Sequence, residues 1–100
     1  MNIPEKIKIG SLNYTVEVTE HIKCGQDTYG EIFTNDLEIR LRPVALERQK
    51  FALVHEILHG ILDNLGYVNQ EEEYVHKLGA ALYQLIVDNP DLFGNAIENK

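Results

Sequence analysis

Residues 55 to 59 read His-Glu-Ile-Leu-His, inside the apolar run Phe51-Ala52-Leu53-Val54-His55-Glu56-Ile57-Leu58-His59. Two histidines four positions apart fall on one face of an α-helix, one turn apart, so both imidazoles can reach a single metal ion. Neutral imidazole is a good zinc ligand, and zinc lowers the pKa of a bound water from about 15.7 to about 7. Glu56 lies about 100° around the helix from His55. Its carboxylate is then beside the metal rather than on it, where it can act as general base toward that water. The H-E-x-x-H spacing carries this chemistry in metalloproteases. The rival reading is two satisfied core histidines with a solvated glutamate, and the helical pattern around the motif argues against it. On the wheel Val54, Leu58, Ile61, Leu62 and Leu65 form an apolar arc. His55 and His59 lie at its edge, with Glu56, Asp63 and Gln49 on the polar side.

A catalytic zinc usually has three protein ligands and one open position. Candidates for the third are His21, His76 and the carboxylates of Glu71, Glu72 and Glu73. A second helix joined to the first by a short loop packs antiparallel to it and returns its first turn to the neighbourhood of His59. This favours residues 71 to 76 over His21. On the second wheel Val75, Leu78, Leu82, Leu85 and Ile86 make the buried arc, and Glu72 and His76 share a stripe at its edge. Glu73 falls on the wet side with Lys77 and Gln84, and Glu71 sits in the first turn, where its face need not be covered. Glu72 is the expected third ligand. It has a competing role, because Asn69-Gln70-Glu71-Glu72 has the spacing of a capping box. Acidic residues at a helix start also suit the macrodipole. His76 has three roles open to it: hydrogen-bonding partner behind the ligands, third ligand, or surface residue. The first is preferred, since ligating histidines need such a partner. Gly79 would let the helices approach closely.

The elements that must position these residues divide the chain in two. Lys6 to Ile9 alternates, Gly10-Ser11 can turn, and Leu12 to Val18 alternates with Leu12, Tyr14, Val16 and Val18 on one face. His21 to Thr28 is polar, contains Gly25 and reads as a loop. Tyr29 to Phe33 reads as a strand, Asn35-Asp36 as a turn, and Leu37 to Leu41 as the last strand. Pro43 precedes a helix over Val44 to Leu65, with Gly66 as its C′ residue. Asn69 is the expected N-cap of a second helix over Gln70 to Val87, which Asn89-Pro90 stops. Leu92 and Phe93 in the tail are expected to pack back on the core. Strands first and helices after predict a single α+β domain over residues 1 to 100, a small antiparallel sheet with two packed helices on one face.

Length and composition exclude several classes. One hundred residues bury roughly two thirds of their unfolded surface, enough for a modest core without disulfides. Cys24 is the only cysteine, so no intrachain disulfide forms, which fits a reducing cytoplasm. The first six residues, Met1 to Lys6, hold no apolar signal region, and no apolar stretch approaches a membrane span. The formal net charge is −7 and the nine Lys and Arg are scattered, which argues against direct nucleic-acid binding.

His55-Glu56-Ile57-Leu58-His59 followed by Glu72-Glu73-Tyr74-Val75-His76-Lys77-Leu78-Gly79 resembles the ImmA/IrrE-type metallopeptidases. The likeness is nearest to their short versions in phages and integrated elements, and runs over about residues 29 to 88. The Leu-Met-Pro ending of longer members is absent; the helix here ends Val87-Asp88-Asn89-Pro90. The resemblance implies a minimal zincin-like fold of the gluzincin kind. It implies Zn2+ held by His55, His59 and Glu72, Glu56 as general base, and His76 in the place of an asparagine. It also implies an edge strand that pairs with substrate, at the place of Leu37 to Leu41. The expected activity is intracellular endopeptidase action on a protein substrate, such as a repressor-like protein of a phage or mobile element. Two alternatives remain. One is a non-catalytic metal-binding interaction module with a degenerate zincin fold, and the other a peptidase whose cleft a partner completes.

Overall fold

Alternation produces strands where the sequence alternates. β1 (Lys6–Ile9) and β2 (Leu12–Val18) pair antiparallel, with Ile9 opposite Leu12 across the Gly10-Ser11 loop. Gly10 takes φ +63°, the left-handed backbone that a two-residue hairpin loop needs and that glycine adopts without strain. β3 (Gly30–Phe33) and β4 (Glu38–Leu41) form a second antiparallel hairpin. Leu37 belongs to its turn rather than to the strand, at φ +56°, with its side chain packed on the core. α1 (Leu46–Asn64) and α2 (Glu72–Asp88) follow. The computed structural model describes residues 2–23 and 28–92. Cys24 and Gly25 of the expected loop, and Phe93 of the expected tail, lie outside the described residues. Leu92 is exposed rather than packed back. Among the described residues no helix is long and apolar enough to cross a membrane.

The α+β arrangement is the one that the order of strands and helices predicts. The sheet is mixed rather than wholly antiparallel. Its order is β1-β2-β4-β3, and β2 pairs with β4 in parallel, Val16 opposite Ile39. Side chains alternate with the same period in parallel and antiparallel pairs, so alternation carries no direction. The chain from β2 to β4 is long enough to bring the second hairpin around, and β4 enters beside β2 while β3 is left outside. The outer strand on this side is therefore β3, not the segment 37 to 41, which lies between two neighbours.

Ile9, Tyr14, Ile39, Leu41, Ala52 and Leu53 are the buried core between sheet and α1. α1 lies tight against the sheet at Gly60, where a Cβ would lie 2.8 Å from Cδ1 of Ile9 and 3.0 Å from Cδ1 of Ile32. Among the described residues α2 packs on α1 and on no strand, so α1 is covered from two sides. This changes which residues are buried. Val54 and Leu58 are inside as the wheel predicts, but so are Leu53, Glu56 and Gly60, while Ile61 and Leu65 are exposed. Glu56 is thus on a buried face and not on the polar side. α1 ends in a Schellman turn: Tyr67 N–H donates to Leu62 O, Gly66 N–H to Asp63 O, and Gly66 takes φ +95°. At its start the Gln49 side chain donates to the carbonyls of Arg42 and Val44, in place of a side-chain cap at Ala45.

Candidate metal centre

α1 presents His55 and His59 one turn apart on its α2 side, half-buried, and α2 starts directly opposite them. Its N-cap is Glu71 in extended conformation, with no side-chain cap hydrogen bond. The rival capping box from Asn69 to Glu72 is not formed, because the helix begins two residues later than its sequence pattern suggests. Glu72 is the first helical residue, and its carboxylate is free to reach across to α1. It meets both histidines: His55 Nε2 lies 2.5 Å from Glu72 Oε1, and His59 Nε2 lies 3.0 Å from Glu72 Oε2. The two Nε2 atoms are 3.2 Å apart.

His55, His59 and Glu72 are the group of ligating residues that can hold one metal ion among the described residues. Their donor chemistry fits. Metal–ligand distances of about 2.0–2.2 Å in a tetrahedral arrangement put ligand atoms about 3.3–3.6 Å apart. The His–His and His59–Glu72 separations are within a few tenths of an ångström of that. The His55–Glu72 pair is in direct hydrogen-bond contact and would open by under 1 Å. Glu72 is 68% exposed at the side chain while His55 and His59 are 13% and 17%, so the group has a solvent-facing side.

Burial holds the His55 imidazole below its usual pKa, with Glu72 opposing, and neutral imidazole is the form that binds metal. Burial pushes the Glu72 carboxyl up, but the hydrogen bonds and charges of His59 and His55 together outweigh it and hold it below its usual value. Glu56 differs from both. It is 6% exposed and points toward β3, where a Cβ on Gly30 would lie 3.4 Å from its Cγ. Burial pushes its carboxyl up to about 7, against the opposing charge of His59 and with smaller upward contributions from Glu72 and Glu31.

The other candidates fall outside the group. Glu73 pairs with Lys77 at 3.0 Å on the solvent side, Glu71 occupies the N-cap position of α2 without a side-chain cap hydrogen bond, and His21 sits beyond β2 with its backbone N–H donated to the Thr19 hydroxyl. The His76 ring lies 5.7 Å from that of His55 and 5.7 Å from that of Phe51. The hydrogen bond behind a ligand comes from a residue that the sequence pattern did not single out: Gln70 Oε1 lies 2.6 Å from His59 Nδ1. A glutamine in a polar loop beside an acidic run carries no sequence signal for that role.

A cleft runs past the group in two arms that share Thr28, Gly30, His55, Glu56 and Glu72. One arm, of about 560 Å³, is walled by Tyr29, Phe51, Ala52, His76 and Tyr83, with Glu47 and Arg48 at its end. The other, of about 540 Å³, is walled by Ile32, Thr34, Asp63, Val68 and Gln70. β3 borders both arms. Among the described residues its second side pairs with no strand. In comparisons with known proteins, no family model, curated protein or solved structure matches this chain.

Proposed function

We propose that the chain is a zinc-dependent endopeptidase acting on an extended segment of a protein. The observation that carries this reading is the convergence of His55, His59 and Glu72 with Glu56 set beside them and open to the same cleft. A purely structural metal site has no use for Glu56. A zinc ion held by His55, His59 and Glu72 would supply Lewis acidity, polarising a carbonyl and acidifying a water. Glu56 takes the proton from the attacking water and returns it to the departing amine. The substrate backbone adds along β3 as a further strand, with alternate side chains entering the arms. A peptide antiparallel to β3 runs from the Thr34 end toward the Thr28 end. Its residues C-terminal to the scissile bond then meet the arm walled by Tyr29, Phe51 and Tyr83. Cleavage is expected on the N-terminal side of a large apolar residue.

A repressor-like substrate in a phage or mobile element rests on the ImmA/IrrE resemblance alone and is proposed as the first class to test. A second reading, a metal-binding interaction module without catalysis, is favoured by the thin cover over the group, with Glu72 68% exposed. Glu56→Gln separates the two. In the enzyme, the variant keeps its zinc, loses all proteolysis of a peptide library and holds captured protein uncut. In the module, wild type and variant bind alike and neither cuts. Zinc-loaded wild type that leaves the whole library intact would overturn the peptidase reading.

A further inference from the structure

We propose that Arg48 selects the substrate by a carboxylate about three residues beyond the scissile bond, carried by an acidic side chain or by a chain terminus. The proposal rests on the reading of the cleft as a peptide site, given above, but its first readout is binding and needs no cleavage. Arg48, Ala52, His55, Glu56 and Asp63 line the cleft from α1. Arg48 precedes His55 by seven residues, two helical turns, and so lies on the same stripe about 10.5 Å away along the axis. An extended peptide advances about 3.3 Å per residue, so the span from the level of His55 is about three residues. Alternate side chains of a strand share a face. The first and third residues beyond the scissile bond therefore turn toward the same arm.

The guanidinium is held ready for such a ligand. Its carbon lies 5.1 Å from the centroid of the Tyr29 ring, and Nη1 donates to the Tyr29 hydroxyl at 3.4 Å. Tyr29 is itself pinned, its carbonyl accepting the Arg42 N–H at 2.9 Å. Stacking on a fixed ring orients the planar fork and leaves its other N–H donors for a carboxylate, whose two oxygens match that fork. Glu47, at the same end of the arm, accepts from the Tyr83 hydroxyl at 3.0 Å and faces Lys50 at 3.9 Å. Among the described residues no carboxylate forms an ion pair with Arg48. The other arm carries the opposite charge, because Asp63 lines it one turn beyond His59. A substrate carboxylate is attracted at one end of the cleft and repelled at the other, so these charges fix which way an acidic segment lies.

The test is fluorescence-polarisation binding of labelled peptide pools to the Glu56→Gln protein in the presence of zinc, since this variant holds a peptide without cutting it. Each pool is an amide-capped nonapeptide with phenylalanine at the fifth place, one further fixed residue and a random mixture elsewhere. Glutamate at the seventh place is expected to bind about fivefold tighter than glutamine there, and glutamate at the third place to give no gain. A further pool ends at the seventh place with leucine and a free carboxylate. A gain of about fivefold in either seventh-place pool, lost to within about twofold in Arg48→Gln, supports the proposal and identifies the source of the carboxylate. In Arg48→Glu the preference is expected to pass to lysine at the seventh place. Equal binding of all pools, or a carboxylate preference that survives Arg48→Glu, overturns the proposal. Binding that follows the charge at position 48, with no pool cut by wild type, would refute the endopeptidase reading and leave this one standing. Cleavage by wild type without that charge preference would do the reverse.

Discussion

Replacing Glu56 by glutamine is expected to remove a large part of the pH dependence of stability. The carboxyl is 6% exposed, and burial pushes its pKa from 4.5 up to about 7. Between those values the folded protein binds a proton that the unfolded chain has released, so stability falls as pH rises. The contribution is complete below about pH 4.5 and lost as pH rises through about 7. From about pH 5 to about pH 8 the loss comes to about 2.5 kcal/mol, close to two pH units at about 1.36 kcal/mol each. Glutamine has the same shape and no charge, so the variant lacks this slope. The stability difference, variant minus wild type, should therefore grow by about 2.5 kcal/mol over that range, or on the order of 10–20 °C in Tm. The assay is urea unfolding of both proteins at the two pH values, with a chelator present to keep them metal-free. Stability curves that run parallel within about 0.5 kcal/mol would refute the claim that Glu56 is buried and protonated at mildly acidic pH.

Glu72→Gln should weaken zinc binding at least about tenfold, measured by chelator competition, while Glu73→Gln, which removes only the pair with Lys77, should leave it unchanged. His76→Ala should alter zinc affinity less than Glu72→Gln, because its ring meets His55 without joining the ligating group; the reverse order would make His76 the ligand. Gly79→Ala should raise Tm by thermal denaturation, since its Cβ would meet His55 Cα at an ordinary 3.5 Å and helix propensity favours alanine by about 1 kcal/mol. Gly60→Ala should give a lower Tm than Gly79→Ala, because its Cβ would fall 2.8 Å from Ile9 and 3.0 Å from Ile32.

The grouping of His55, His59 and Glu72 was legible because its parts obey short-range rules. The spacing of His55 and His59 is a property of any α-helix, and the choice of Glu72 needed only a second helix folded back on the first. Yet Glu72 is free for a reason that the pattern hid. A capping box assumes that the helix starts at Gln70, and it starts at Glu72, which puts this carboxylate at the first helical position rather than the third, where the box needs it. Glu56 was misplaced because a wheel assumes one covered face, while α1 is covered by the sheet and by α2. The identity of the edge strand was hidden because alternation in Leu12 to Val18 and in Leu37 to Leu41 is the same whichever way the strands run. Gln70 depends on a turn geometry that Gly66 permits and Tyr67 completes, and residue type alone does not reveal a hydrogen bond across a loop.

The central claim is that His55, His59 and Glu72 hold one metal ion with Glu56 beside it. Zinc content of the purified protein after exhaustive desalting, in wild type, His55→Ala and Glu56→Gln, tests it most directly. About one equivalent in wild type and in Glu56→Gln, with none retained by a folded His55→Ala, is the result this account predicts. A folded wild type that retains no zinc, or a His55→Ala protein that retains as much as wild type, would contradict it.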